Sequence, residues 1–158
     1  MSNRKEFFLI EREAEKYRTA IPDRTERIFY LFLKQTYKDA RISYEARTFS
    51  AFIDGKMRTT KPDFEIVESD GKITFMEITK SRKNGTDPKE IDKKIMEIAV
   101  PNCPYLVFYA GELKQIQREN PPYDFFKSKK RKREKIKLSS KKRNALPVKF
   151  NPTTVFRS

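Results

Sequence analysis

The stretch from Pro62 to Lys80 constrains the fold more than any other part of the chain, because it joins two strand patterns through a tight turn. Apolar residues mark a partly buried strand over residues 64–67, and Ser69-Asp70-Gly71 is a strong turn signal. Residues 73–78 are rich enough in β-branched and aromatic side chains for a strand in the middle of a sheet. A hairpin here would place Asp63 beside Glu77. Two carboxylates at the exposed end of an apolar hairpin are what a divalent metal site requires.

The residues before this hairpin predict two helices and a pair of strands. Apolar spacings of three and four indicate an amphipathic helix over residues 4–18, suited to packing or to a partner contact. Asp23 and Glu26 have the spacing of a capping box and predict the start of a second, well-buried helix that runs to about Lys38. Residues 41–60 are β-like and contain Asp54-Gly55, a dipeptide that favours a hairpin turn.

The residues after the central hairpin predict a helix and a short apolar strand. Asp87-Pro88 should begin the helix, with Pro88 at its first position and a core face of isoleucines that includes Ile91, Ile95 and Ile98. Residues 105–110 are almost entirely apolar, as expected of a strand that pairs beside the central hairpin, and a helical turn is expected near residues 113–119. The predicted fold class is α/β or α+β, with a mixed central sheet flanked by helices.

The positive charge of the chain is concentrated in its last residues. The net charge is +14, and residues 127–158 contain 13 lysines and arginines against one acid. We therefore expect three parts: an N-terminal helix over residues 1–20, a core domain over residues 21–120, and a basic tail over residues 121–158 that begins at Pro121-Pro122. Such a tail attracts phosphates, so nucleic acid is the favoured partner and an anionic membrane the second.

The composition excludes several kinds of site. The sequence has no histidine and a single cysteine, Cys103, which rules out histidine-based acid–base catalysis, zinc sites of the usual Cys/His kind and an intrachain disulfide. No apolar run approaches the roughly 18 residues that span a membrane, and the N-terminal apolar patch is too short for a signal peptide. We expect a cytoplasmic protein, or a nuclear one if the source is eukaryotic, since a lysine-rich run can also act as a nuclear-import signal.

The order of these elements and acids resembles the PD-(D/E)xK nuclease superfamily, and its layout is most similar to phage Holliday-junction resolvases and transposon end-cleaving nucleases. The resemblance covers residues 23–110 and rests on Glu26 in the first core helix, Pro62-Asp63 before one strand and Glu77 in the next. It implies a restriction-endonuclease-like fold and a Mg²⁺-dependent deoxyribonuclease that hydrolyses phosphodiester bonds, acting in recombination, DNA processing, or phage or mobile-element biology.

The resemblance also implies a set of metal ligands. Asp63, Glu77, Glu26 and the backbone carbonyl of Ile78 would hold one or two Mg²⁺ or Mn²⁺ ions, which prefer oxygen ligands. The metal would activate water for attack on phosphorus, and a nearby lysine would assist. A homodimer or a larger protein complex is plausible by resemblance, because related nucleases pair two sites to cut two strands.

One position departs from the family pattern. The family's lysine falls on Thr79, and Lys80 comes one residue later, so in a regular strand Thr79 shares the face of Glu77 while Lys80 points the other way. Either a bulge turns Lys80 inward, or Lys93 or Lys94 of the following helix supplies the charge. Further lysines and arginines are expected to contact DNA, namely Arg82, Lys83, Lys93, Lys94, Lys129, Lys130, Arg131, Lys132 and Arg133.

Each of these residues also has a simpler interpretation. Glu26 fits a capping box, a Pro-Asp pair is common in turns, and Lys80 fits a solvated loop. Glu77 is harder to explain this way, because a charge within an apolar run is desolvated unless a cation accompanies it. The main alternative function is a non-catalytic nucleic-acid-binding or virion-associated protein that works through its basic tail.

Overall fold

The computed structural model describes residues 2–81 and 85–126, and the packed unit that contains most of them ends at Phe125. Its elements are, in chain order, α1 (Ser2–Glu15), α2 (Arg24–Thr36), β1 (Arg41–Tyr44), β2 (Phe49–Ile53), β3 (Lys56–Thr60), β4 (Phe64–Val67), β5 (Ile73–Ile78), α3 (Glu90–Ala99), β6 (Tyr105–Phe108) and α4 (Ala110–Glu119). No helix within this part of the chain has both the length and the apolar character needed to cross a membrane.

The strands form a four-stranded sheet in the order β1-β4-β5-β6 and a separate two-stranded sheet of β2 and β3. β1 and β5 are both antiparallel to β4, whereas β6 is parallel to β5, so the larger sheet is mixed as expected. The turn between β4 and β5 contains Gly71 at a φ of 85°, in the left-handed region that glycine adopts without strain. The chain enters β6 through α3, the kind of crossover that a parallel pair needs.

Helix α2 covers one face of the larger sheet. Asp23 caps it by accepting hydrogen bonds from the backbone N–H groups of Thr25 and Glu26, as the sequence predicted for Asp23. Phe29 of α2 is fully buried, and its ring centroid lies 5.7 Å from that of Phe64 in β4 and 5.1 Å from that of Phe108 in β6. A buried aromatic cluster therefore joins α2 to the inner strand β4 and to the edge strand β6.

Helix α3 and the β2–β3 hairpin lie on the opposite face. Phe49 of β2 packs against Phe75 of β5, and Ile95 of α3 closes a cluster with Ala51 and Ile53 of β2. Because residues two apart on a strand share a face, Glu77 points to this side together with Phe75. Met76 points to the α2 side together with its cross-strand partner Phe64.

Several boundaries and faces differ from the sequence-based predictions. Helix α3 begins at Glu90, so Pro88 is not its first residue, and Ile91 and Ile98 are exposed while Ile95 and Met96 are buried. The predicted core face was therefore wrong in part, because the helix is turned to pack Ile95 and Met96 inward. Helix α4 starts at Ala110, earlier than the predicted helical turn.

The packed unit also extends past the proline pair at which the sequence suggested a boundary. Tyr123 and Phe125 are buried, and Phe125 contacts Phe29 at a centroid distance of 5.9 Å. The residues of the predicted tail after Phe126 lie outside the described part of the chain.

Candidate active site

Asp63 and Glu77 lie next to each other at one end of the larger sheet. The register of β4 and β5 pairs Phe64 with Met76, so the following pair of positions is Asp63 and Glu77. The backbone N–H of Ile78 donates a hydrogen bond to Asp63 Oδ2 at 2.8 Å, which fixes the carboxylate of Asp63 against the end of β5. The hairpin thus brings together two acids that are 14 positions apart in the sequence.

The surroundings of Asp63 disfavour its charged form. The pKa of Asp63 is raised from 3.8 to about 7, mainly by burial and also by the nearby carboxylates of Glu26 and Glu77. The hydrogen bond from Ile78 and the positive charge of Lys89 act in the opposite direction. The pKa of Asp63 therefore reflects its burial first and then the repulsion from two neighbouring acids, a pattern found at binding and catalytic sites.

Glu77 is almost completely buried, with 5% of its surface exposed, and both of its oxygens have protein partners. Lys89 donates a hydrogen bond to Oε1 and the hydroxyl of Tyr105 donates one to Oε2. Burial by itself would lower the pKa of Lys89, but the charge of Glu77 and the hydrogen bond to it raise that pKa, so Lys89 is charged. Glu77 thus has the accompanying cation that a buried carboxylate requires.

Glu26 approaches the same end of the sheet from the α2 side. Its Oε2 accepts a hydrogen bond of 2.6 Å from the hydroxyl of Tyr44 in β1. Burial raises the pKa of Glu26, and the carboxylates of Asp23 and Glu45 raise it further, against the lowering effect of the Tyr44 bond. The carboxylate of Glu26 is therefore engaged with the sheet, which differs from the capping-box interpretation of this residue.

The lysines expected to assist at the site pair with acids other than Asp63 and Glu77, although Lys80 lies near enough to Glu26 to lower its pKa. Lys80 pairs with Asp23 Oδ2 at 3.2 Å, on the α2 side, so it points away from Glu77 as strand alternation predicts. Thr79 donates its backbone N–H to Phe108 and extends the pairing of β5 with β6. Lys93 pairs with Asp87 and with the hydroxyl of Tyr109.

Lys94 forms a solvent-facing pair with Glu90, one helical turn away. The cation beside the acids is instead Lys89, which immediately precedes α3 and also lies 3.4 Å from Asp92. Arg82, Lys83 and the run from Lys129 to Arg133 lie outside the described residues, so their predicted DNA contacts stay predictions.

The acids do not form a closed metal cage. Among the described residues, no group of three or more carboxylate or cysteine side chains lies close enough to hold a metal ion. Glu77 is bonded to Lys89 and Tyr105, and Ile78 presents its N–H to Asp63, whereas the resemblance implied a role for its carbonyl. The geometry is that of an acidic pair with an internal counter-ion.

Comparison with known proteins gives no match to this chain. No family model matches the chain, and neither curated proteins nor solved structures give a significant match.

Sequence reasoning missed three residues that contact the acids: Lys89, Tyr105 and Tyr44. A weak signal existed for Lys89, because a lysine shortly before a helix that follows an acid-bearing strand lies near the end of that strand. The tyrosines carry no comparable signal, since each reaches its carboxylate through tertiary packing.

Proposed function

We propose that this chain is a metal-dependent DNA endonuclease with a restriction-endonuclease-like fold, acting on phosphodiester bonds in recombination, DNA processing, or phage or mobile-element biology. The observation that carries the proposal is the pairing of Asp63 and Glu77 at the end of β4 and β5, with Glu26 and Lys89 beside them. Carboxylates and a lysine at one sheet end are the groups that metal-assisted phosphodiester hydrolysis uses.

The order of elements supports the nuclease fold. A helix bearing Glu26, a strand preceded by Asp63, a strand bearing Glu77, a helix and an apolar strand follow one another in the chain. The electrostatic coupling of Asp63 to both Glu26 and Glu77 indicates that these elements converge at one end of the sheet. This is the arrangement on which the resemblance to PD-(D/E)xK nucleases rests.

The donor chemistry fits Mg²⁺ or Mn²⁺, since the acids supply oxygen ligands and their mutual repulsion is relieved by a cation. Asp63 and Glu77 would hold the ion, with Glu26 as a third acid nearby. A bound ion would activate water and neutralise charge on the phosphate. Because both oxygens of Glu77 are bonded to protein, Glu77 would have to share or exchange the hydrogen bond from Lys89.

Each protein group then has a distinct task. The N–H of Ile78 orients the carboxylate of Asp63, and the hydroxyl of Tyr105 fixes that of Glu77. Lys89 lies at Glu77 in the role for which the sequence suggested Lys80, Lys93 or Lys94, and its charge suits contact with a phosphate oxygen. The partner class is therefore DNA, held by the site and by the basic residues 127–158.

The test is cleavage of plasmid and branched DNA in Mg²⁺, Mn²⁺ or EDTA by the wild type and by Asp63→Asn and Glu77→Gln. We expect cleavage that needs the metal and that falls at least about 100-fold in either variant, the scale of losing a preorganised charge stabiliser. Glu65→Gln is the matched control, because Glu65 is a buried acid of β4 that pairs with Arg47. Cleavage that survives both site substitutions, or that falls equally in the control, would remove this site from the reaction.

A second candidate is a non-catalytic nucleic-acid-binding protein, and one observation favours it. Both carboxylate oxygens of Glu77 accept hydrogen bonds from protein groups, Lys89 and Tyr105, as in a structural ion pair. No metal-binding group of three side chains is found in the described ranges. In that case the wild type would bind DNA without cutting it under any metal, and Asp63→Asn would bind as well as the wild type.

A further inference from the structure

Asp87 is a partly buried acid beside the candidate site, and the proposed chemistry does not use it. Its side chain is 13% exposed, and it lies between β5 and α3, two residues before Lys89. It accepts hydrogen bonds from the backbone N–H of Lys89 at 3.0 Å, the ammonium of Lys93 at 2.7 Å and the hydroxyl of Tyr109 at 2.5 Å. An aspartate that only satisfied a turn would need the backbone contact alone.

The contacts of Asp87 fix the backbone of Lys89. Oδ1 of Asp87 accepts the N–H of Lys89, and the carbonyl of Asp87 accepts the N–H of Glu90 at 3.2 Å. These bonds define the turn from which the side chain of Lys89 extends to Glu77. A lysine side chain is long and flexible, so a fixed backbone narrows the positions that its ammonium can reach.

Tyr109 and Lys93 attach this turn to the end of the sheet. Tyr109 is 7% exposed and directly follows β6, whose last residue pairs with the last residue of β5. Lys93 closes the network, because its ammonium donates to Asp87 Oδ2 and to the hydroxyl of Tyr109, both at 2.7 Å. The turn that bears Lys89 is therefore tied to the strand end that bears Glu77, and not to α3 alone.

Each of the two acids has its own lysine. Lys89 pairs with Glu77, and Lys93, four residues later on the same side of α3, pairs with Asp87. The hydrogen bonds from Lys93 and Tyr109 hold the pKa of Asp87 well below its usual range, and Asp87 in turn raises the pKa of Lys93. Asp87 and Lys93 are thus both charged at neutral pH, which leaves Lys89 as the counter-ion of Glu77.

We infer that Asp87 is a positioning residue that, together with Lys93 and Tyr109, holds Lys89 in place for the phosphate at the acid pair. The inference rests on the proposed function, since it takes that phosphate to belong to the substrate. The charge of Lys89 acts on the phosphate only while its ammonium stays at the end of β5, and a small displacement weakens its effect. Residues that orient a functional side chain in this way contribute about 10–100-fold.

The position of Lys89 is measured first, on the full chain without DNA or metal, by the rate at which acetic anhydride labels each lysine in mass spectrometry. The side chain of Lys89 is 24% exposed and that of Lys94 is 51% exposed, so Asp87→Ala should raise labelling at Lys89 at least about twofold and leave Lys94 unchanged. Tyr109→Phe keeps the backbone contact of Asp87 and should also raise labelling at Lys89, because the turn loses a tie to the sheet. Unchanged labelling of Lys89 in both variants would overturn the inference.

Two further variants separate positioning from a general loss of stability. Asp87→Asn keeps an oxygen for the N–H of Lys89 and should restore most of the wild-type protection, whereas labelling as high as in Asp87→Ala would overturn the role of that contact. Asp70→Ala is the matched control, because Asp70 accepts the N–H of Lys72 at 2.9 Å in the turn between β4 and β5. The control should leave Lys89 protected, and a rise equal to that in Asp87→Ala would overturn the inference.

Cleavage of DNA in Mg²⁺ gives a second measurement. We expect Asp87→Ala to lower kcat about 10-fold or more and to change KM for DNA by less than about twofold, because Lys89 would act on the reacting phosphate. Asp87→Asn should recover most of the lost kcat. A higher KM at an unchanged kcat would overturn the inference.

The two measurements distinguish failure of the inference from failure of the proposed nuclease. If the wild type cuts no DNA in Mg²⁺ or Mn²⁺ while Asp87→Ala and Tyr109→Phe expose Lys89 to labelling, the positioning of Lys89 is supported and the nuclease is overturned. Cleavage by the wild type, with labelling of Lys89 unchanged in both variants, would support the nuclease and overturn the positioning role.

Discussion

Asp63 stores unfavourable free energy in the folded protein at neutral pH, and its replacement by asparagine should release part of it. The pKa of Asp63 is about 7 in the folded chain, against an ordinary value of 3.8. The folded state therefore binds the Asp63 proton more tightly than the unfolded state does. Folding stability is consequently highest, as far as this group is concerned, below pH 3.8 and falls as the pH rises from there through about 7.

The magnitude follows from the size of that difference. The gap between 3.8 and about 7 corresponds to ~4 kcal/mol of lost stability above pH 7, at about 1.4 kcal/mol for each pH unit. Asp63 lies at a strand end with partial exposure, where solvent and salt screen the repulsion, so we expect a measured effect of about 1–2 kcal/mol. Asparagine has nearly the same shape and keeps an oxygen for the N–H of Ile78, so little else changes.

The assay is urea unfolding of the wild type and Asp63→Asn at pH 4, 6 and 8. Asp63→Asn should be the more stable protein by about 1–2 kcal/mol at pH 8, and this advantage should shrink toward zero at pH 4, where the wild type is protonated in the folded state. Glu65→Gln is the control and should lose stability at every pH above 4, because Arg47 loses its partner. An Asp63→Asn variant that is equally destabilised at all three pH values would refute the electrostatic argument.

Three other outcomes follow from the same contacts. Mg²⁺ at ten times its dissociation constant should stabilise the wild type at pH 8 by about 1.4 kcal/mol in thermal unfolding and leave Asp63→Asn unchanged; an equal shift in both would place the ion elsewhere. Lys89→Met should lower the free energy of unfolding by about 2–4 kcal/mol in urea, because it leaves the buried Glu77 without its cation. Lys94→Met, which removes a solvent-facing pair, should lower it by less than about 0.5 kcal/mol, and equal losses would contradict the buried pair. Ending the chain after residue 126 should preserve folding and weaken salt-sensitive DNA binding, and unchanged DNA binding would contradict a role for the basic residues. Ending the chain after residue 120 should lower the free energy of unfolding by about 3–5 kcal/mol, because the buried Phe125 is lost, and unchanged stability would contradict this.

The local patterns of the sequence were sufficient for the central hairpin and its acids. The turn at Gly71 and the apolar strands on either side fix the register, and the register alone makes Asp63 and Glu77 neighbours. The direction of Lys80 also followed from strand alternation, since Lys80 pairs with Asp23 on the α2 side and not with Glu77. These features depend on residues close together in the chain, where the backbone period determines direction.

The features that sequence could not supply depend on how distant elements pack. Lys89 reaches Glu77 because the chain that enters α3 passes close to the end of β5. Tyr105 reaches Glu77 because β6 runs parallel to β5 and pairs with it. The inward face of α3 was predicted from its isoleucines, yet Met96 is buried and Ile98 exposed, because the β2–β3 hairpin sets the rotation of the helix. Helix periodicity defines a stripe but leaves its orientation to the surface on which the helix packs.

The separate sheet of β2 and β3 affects which insertions and substitutions the hairpin can accept. The backbone N–H of Glu45 donates to the carbonyl of Asp63 at 2.8 Å, so the two ends of the inserted hairpin are already held together by the larger sheet. The closure of that loop is therefore nearly independent of what lies within it, and lengthening it costs little. The exposed end of the hairpin can therefore vary in length or charge while the acid pair keeps its register, whereas Phe49, Ala51 and Ile53 are held by their packing against β5 and α3.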